Sequence, residues 1–95
     1  TGVVIKSAID SKEETVAADG VFEYVGLTPV TDMVKHLGVT NDYGYVETNE
    51  KMQTKVDGIF GAGDVIVKQI RQVVTATADG AIAVQNALRY LETWT

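Results

Sequence analysis

Between Gly58 and Leu91 the hydrophobic pattern changes period within a dozen residues, and that change restricts the fold more than any other feature of the chain. Ile59-Phe60-Gly61-Ala62 is a short apolar run that ends in Gly63-Asp64. A run with no polar alternation predicts a strand buried on both faces, as in a parallel sheet, from about Ile59 to Ala62. Then Ile70, Val73, Val74, Ala81, Val84, Leu88 and Leu91 recur at three- and four-residue steps. That spacing gathers them on one side of an amphipathic helix, expected from about Arg71 to Glu92. Gly80 lies inside the helix at a cost of about 1 kcal/mol relative to Ala. It implies either close packing against another backbone or a kink.

The earlier residues read as short strands and turns. Gly2 to Ile5 is β-branched, the stretch Asp10 to Glu14 is polar, and Ala17-Ala18-Asp19-Gly20 closes a second strand with a turn. Val21-Phe22-Glu23-Tyr24-Val25-Gly26 reads as another strand, ended by Gly26 and then Pro29. Thr31 or Asp32 is placed to cap a helix of one or two turns through Leu37, with Gly38 where helices commonly stop. Asn41-Asp42-Tyr43-Gly44 is turn chemistry and Tyr45 to Thr48 alternates as an edge strand does. Met52 and Val56 are the only apolar anchors of the polar stretch from Asn49 to Asp57.

Composition removes several classes of function. The net charge is −5, with eight Lys and Arg scattered along 95 residues, whereas nucleic-acid binding needs them clustered. No apolar run has the length of a membrane span and no signal-peptide pattern is present, so the cytoplasm is the expected compartment. There is no cysteine and one histidine, which excludes from these residues a thiol redox centre, a disulfide scaffold and a Cys/His metal cluster. The abrupt start, Thr1 followed almost at once by Val3-Val4-Ile5, is what a cut chain would show. His36 has no carboxylate near it in sequence and is expected at a helix end or on the surface. Tyr90 and Trp94 are expected to pack the last turn of the long helix.

The block Gly58-Ile59-Phe60-Gly61-Ala62-Gly63-Asp64-Val65, with Arg71-Gln72-Val73 following at the head of the helix, resembles the second FAD motif of bacterial thioredoxin reductases. Phe22 to Gly26 with Pro29 resembles that family's crossover strand between its NADPH and FAD domains. The likeness runs from about Asp19 to Trp94. A Gly-Asp after a strand is common, but the ordered set with Gly44-Tyr45 and Arg71-Gln72 is specific. Gly61 stands where the family more often has Ala. In a close relative, the flavoprotein subunit of alkyl hydroperoxide reductase, Lys commonly stands at the position of Arg71, so Arg71 favours the reductase. The G-x-G-x-x-G of the FAD pyrophosphate, the NADPH fingerprint and the C-x-x-C are missing from this sequence.

The resemblance implies an α/β fold made of part of an FAD-binding Rossmann-like domain. Short β strands from the end of the NADPH domain (1–28) would precede one parallel strand and a long C-terminal helix in the FAD portion (29–95). It implies FAD contacts from Gly63, Asp64, Val65, Arg71, Gln72 and Val73, and no catalytic or metal-ligating residue. Gly63 allows close approach, Asp64 accepts from a ribitol hydroxyl, and the helix start favours negative charge on the flavin. Arg71 would hold the loop or the cofactor; Asp64 as a turn cap and Arg71 as a solvated helix-terminal charge are the plainer alternatives. In the whole protein, NADPH would donate electrons through FAD and a C-x-x-C pair to thioredoxin, the chain alone being inactive. A buried strand without neighbours leaves backbone groups unpaired, so a homodimer or swapped oligomer is expected. A non-catalytic α/β assembly module is the alternative from a different class.

Overall fold

A computed structural model describes residues 1–94 of the chain. Two strands open it, β1 (Gly2–Lys6) and β2 (Glu13–Ala17), paired antiparallel with Val3 opposite Val16 and Ile5 opposite Glu14. The β-branched residues of β1 favour the extended backbone. A backbone bond from Ser7 N–H to Lys12 O at 2.9 Å then closes the turn, and the Asp10 side chain shapes it, Oδ1 accepting from Lys12 N–H at 3.0 Å. Ser11 takes a positive φ of 60° to complete it.

After the hairpin, residues 18–30 run without regular structure and without a ladder. Val21, Phe22, Tyr24, Val25 and Leu27 stand in the open here, Phe22 and Tyr24 with their rings stacked at 6.4 Å. The strand expected over Val21 to Gly26 therefore does not form among the described residues. Its residues have the right propensity, but a strand needs a neighbour to accept its hydrogen bonds, and this segment has none.

The remaining residues pack around a small core of Val39, Val46, Met52 and Ile66, flanked by Val34, Leu37, Val56 and Ala83. Two 3₁₀ turns, η1 (Asp32–Leu37) and η2 (Gly63–Val65), and one long helix, α1 (Val73–Glu92), supply the regular structure. Gly38 ends η1 in the left-handed conformation, φ 67°. Thr31 does not cap η1: its hydroxyl donates instead to Gly44 O at 2.6 Å, joining η1 to the turn at Asn41–Gly44. That turn is held by Asn41 Oδ1, which accepts from the amides of Tyr43 and Tyr45.

The strand expected over Ile59–Ala62 is reduced to one antiparallel bridge, Phe60 to Gln53. The edge strand expected over Tyr45–Thr48 is likewise reduced to Val46, which bridges Thr40 on one side and Ile66, in parallel, on the other. A parallel strand is sustained by strands on both flanks, and the described residues supply single rungs rather than ladders. Burial in this region is nevertheless real. Gly61 is buried, and a Cβ there would meet Val46 Cγ1 at 2.9 Å. The helix matches its expectation, beginning two residues later than Arg71 and ending at Glu92. It passes through Gly80 as continuous α-helix, and a Cβ at Gly80 would meet nothing within 4 Å. Neither the kink nor the close packing considered for Gly80 occurs within these residues.

Candidate functional site

The six residues singled out from sequence occupy one corner of the molecule, where η2 meets the start of α1. Gly63 opens η2 with φ +85°, a conformation that side chains rarely adopt. This turns the chain sharply after the buried Gly61 and carries the Asp64 side chain outward, exposed. Ala76 of α1 lies behind the turn, its Cβ 3.8 Å from the position a Gly63 Cβ would take.

Arg71 fixes the turn from the other end of the loop. Its Nε donates to Asp64 O at 2.9 Å and a terminal guanidinium nitrogen donates to Ile66 O at 3.1 Å. The guanidinium also lies over the Tyr45 ring, 4.0 Å from the centroid. Two carbonyl acceptors and an aromatic face are what a planar fork with several donors accommodates and a lysine ammonium does not. Of the roles open to Arg71 in sequence, the geometry shows a loop clamp.

At the head of α1 the Gln72 N–H donates to Thr75 Oγ1 at 3.0 Å, a reciprocal contact that fixes the first turn of the helix. Gln72 and Val73 are both exposed. The amides of that first turn have no intrahelical acceptor and form the positive end of the helix dipole.

Beside these residues lies an open groove of about 290 Å³ lined by Leu27, Thr28, Pro29, Val30, Tyr45, Asp64, Val65 and Arg71. It brings Asp64, Val65 and Arg71 together with the segment around Pro29, far away in sequence; Gly63, Gln72 and Val73 stand outside its lining. The walls are largely apolar, with the Asp64 carboxylate and the Arg71 guanidinium as polar ends. A deeper-set hollow lined by Gln53, Thr54, Gly58, Phe60 and Tyr90 lies away from all six. Phe60 and Tyr90 meet there edge to face at 6.2 Å. Tyr90 thus anchors the end of α1 as expected, while the Trp94 ring lies 6.0 Å from that of Tyr90 and is 69% exposed. His36 is exposed at the end of η1. Among the described residues no group of His, Asp and Glu side chains is arranged to hold a metal ion.

Two residues that sequence reasoning passed over support the site. Asp79, on the inner face of α1, accepts the Gly63 N–H through Oδ2 at 3.2 Å and accepts from Lys68 Nζ through the same oxygen. The signal was present: Asp79 falls three residues after Ala76 and four before Ala83, both on the packed side of the helix, and an acid in such a place needs a partner.

The family model for pyridine nucleotide-disulphide oxidoreductase matches residues 1–80 of this chain. The chain belongs to that family. Within the pyridine nucleotide-disulphide oxidoreductases it is 51% identical to thioredoxin reductase of Listeria monocytogenes over 92 residues, covering 97% of this chain and 29% of that protein. It is 47% identical to thioredoxin reductase of Bacillus subtilis, covering 95% of this chain and 28% of the relative. Among solved structures, thioredoxin reductase of Lactococcus lactis superposes with a TM-score of 0.82 at 42% identity, over 94% of this chain and 29% of that one. That of T. acidophilum does so with a TM-score of 0.81 at 34% identity, over 100% and 31%. The chain thus spans less than a third of the length of the relatives it matches. The α/β reading and the resemblance to thioredoxin reductases both hold. No helix among the described residues is long and apolar enough to cross a membrane.

Proposed function

We propose that this chain forms the flavin-facing part of an NADPH-dependent thioredoxin reductase. In that reading residues 1–28 close the NADPH domain and 29–95 complete the FAD domain. The observation that carries it is the meeting of Asp64, Val65 and Arg71 with Leu27–Val30 around one groove at the head of α1. The donor set fits a flavin. The apolar walls suit a flat ring system, the free Asp64 carboxylate suits a ribitol hydroxyl, and the helix start suits the negative charge that a flavin gains on reduction. At about 290 Å³ the groove takes one end of such a cofactor, and no Gly-rich turn for a dinucleotide pyrophosphate is present in the sequence.

FAD, when bound, supplies the electron-carrying chemistry; the residues here bind and orient. Gly63 shapes the turn, Asp64 accepts a hydrogen bond, Val65 adds an apolar wall, and Arg71 holds the loop in register. Val73 presents the first amide of α1, and Gln72, with its own N–H held by Thr75 Oγ1, sets the start of the helix beside the cofactor. NADPH as donor, a C-x-x-C pair and thioredoxin as acceptor belong to the rest of the proposed enzyme, in the cytoplasm. The high identity to curated thioredoxin reductases favours this over the hydroperoxide-reductase subunit.

The test is the flavin-to-protein ratio of the full-length reductase carrying this sequence. Asp64→Ala is expected to lower the ratio with the fold retained, because it removes one polar anchor from a shaped site. An unchanged ratio with unchanged activity makes Asp64 a turn residue only. A wild-type enzyme that binds no flavin leaves the non-catalytic assembly module as the function.

A further inference from the structure

The carboxylate of Asp79 meets the turn that carries Asp64 from α1 and is not among the residues that line the groove. It grips the turn through the Gly63 N–H, and Lys68 returns from the loop between η2 and α1 to meet the same oxygen. Both side chains are largely enclosed, 13% exposed for Asp79 and 11% for Lys68. An enclosed carboxylate at this place has two effects. As an acceptor it fixes the direction of the peptide between Ala62 and Gly63 and hence the aim of the next side chain, Asp64. As a charge it would oppose electron density on any ligand at the turn, in a poorly screened setting. Lys68 cancels that charge while leaving the hydrogen bond in place.

We propose that Asp79 and Lys68 are a charge-neutral pair of positioning residues for the flavin site: Asp79 aims the turn that presents Asp64, and Lys68 removes the electrostatic penalty of having a carboxylate there. The proposal rests on the flavin reading of the groove. Breaking the pair on opposite sides must then move the reduction potential of the bound flavin in opposite directions. Lys68→Met leaves an uncompensated negative charge, which disfavours the reduced flavin and lowers the potential. Asp79→Asn keeps an oxygen acceptor for Gly63 but leaves Lys68 unpaired, which favours the reduced flavin and raises the potential. The double variant has no net charge at the pair and returns towards the wild-type value.

The experiment is a spectroscopic redox titration of full-length holoenzyme carrying each single variant and the double variant, with the flavin-to-protein ratio measured in parallel. Amide exchange at Gly63 gives a readout that needs no flavin: Asp79→Ala is expected to speed it at least several-fold, whereas Asp79→Asn preserves most of its protection. Opposite shifts in the single variants with recovery in the double establish the pair. Shifts of the same sign, or unchanged potentials, in a flavin-bound enzyme overturn it and leave the flavin reading intact. Should a single variant fail to fold, the neutral double variant still decides by itself: loss of its Gly63 protection, or a flavin potential far from the wild-type value, overturns the proposal. A wild-type enzyme without flavin refutes the parent reading instead.

Discussion

Gly63 and Arg71 determine the site from opposite ends of one loop, and each does so by a property that its nearest substitutes lack. Gly63 holds φ +85°, so Gly63→Ala is expected to cost about 1–2 kcal/mol by placing a Cβ in the left-handed region. The space is not the obstacle, since the nearest atom, Ala76 Cβ, is 3.8 Å away. Urea denaturation of the full-length protein checks this; an unchanged midpoint at unchanged slope contradicts it. Arg71→Lys keeps the charge but loses the fork that reaches both Asp64 O and Ile66 O, together with the stack on Tyr45. The expected cost is about 1–2 kcal/mol, accompanied by a drop in bound flavin that an Arg71 acting as a solvated charge would not produce. These local roles were legible in part. Glycine before Asp64 announced an unusual turn, and Arg71 stood in a recognisable motif. The partner of Arg71 was not legible, because backbone carbonyls carry no sequence signature. Nor was the groove wall at Leu27–Val30, which reaches the site only through the fold.

At the scale of elements, α1 was the most readable part, since a 3.6-residue period over five turns depends on nothing outside the helix. The strands were the least readable. Val21–Gly26 and Ile59–Ala62 have strand-like residues, but a strand is defined by a neighbour, and the neighbours are not among these residues. Among the described residues only the hairpin, which carries its own partner, forms a full ladder. The same reasoning bears on Gly80. With nothing within 4 Å of its missing Cβ, Gly80→Ala is expected to stabilise the 95-residue chain by about 0.5–1 kcal/mol through helix propensity. In the full-length enzyme the sign would reverse if additional chain packs against that face. Helix melting monitored by circular dichroism in both contexts separates the cases. The outer face of α1, with Val74 at 73% exposure, Val84 at 62% and Leu91 at 57%, has the apolar composition of a face that normally has a cover.

Taken whole, the molecule measures 66 × 26 × 21 Å with a radius of gyration of 19.8 Å, against about 12 Å for a compact domain of its length. Among the named elements of the described residues, β1 and β2 contact each other alone, and α1 contacts η2 alone. With Phe22, Tyr24, Val25 and Leu27 open to solvent as well, the chain by itself is expected to associate, and light scattering should find a dimer or larger species. It is also expected to purify without FAD and without reductase activity, whereas a monodisperse yellow monomer that oxidises NADPH would refute the division of labour proposed above. The unpaired stretch from Asp19 to Thr28 has a further consequence, for the lifetime of the chain. A protease binds its substrate as an extended segment, and this stretch has no ladder to break before it can be bound, with two aromatic rings on display. Chymotrypsin is expected to cut first after Phe22 or Tyr24, releasing the hairpin and leaving a fragment that begins at Glu23 or Val25, whose packed part around Val39, Val46, Met52 and Ile66 is degraded much more slowly. Any partner that shields those residues would be detected as protection from that first cut.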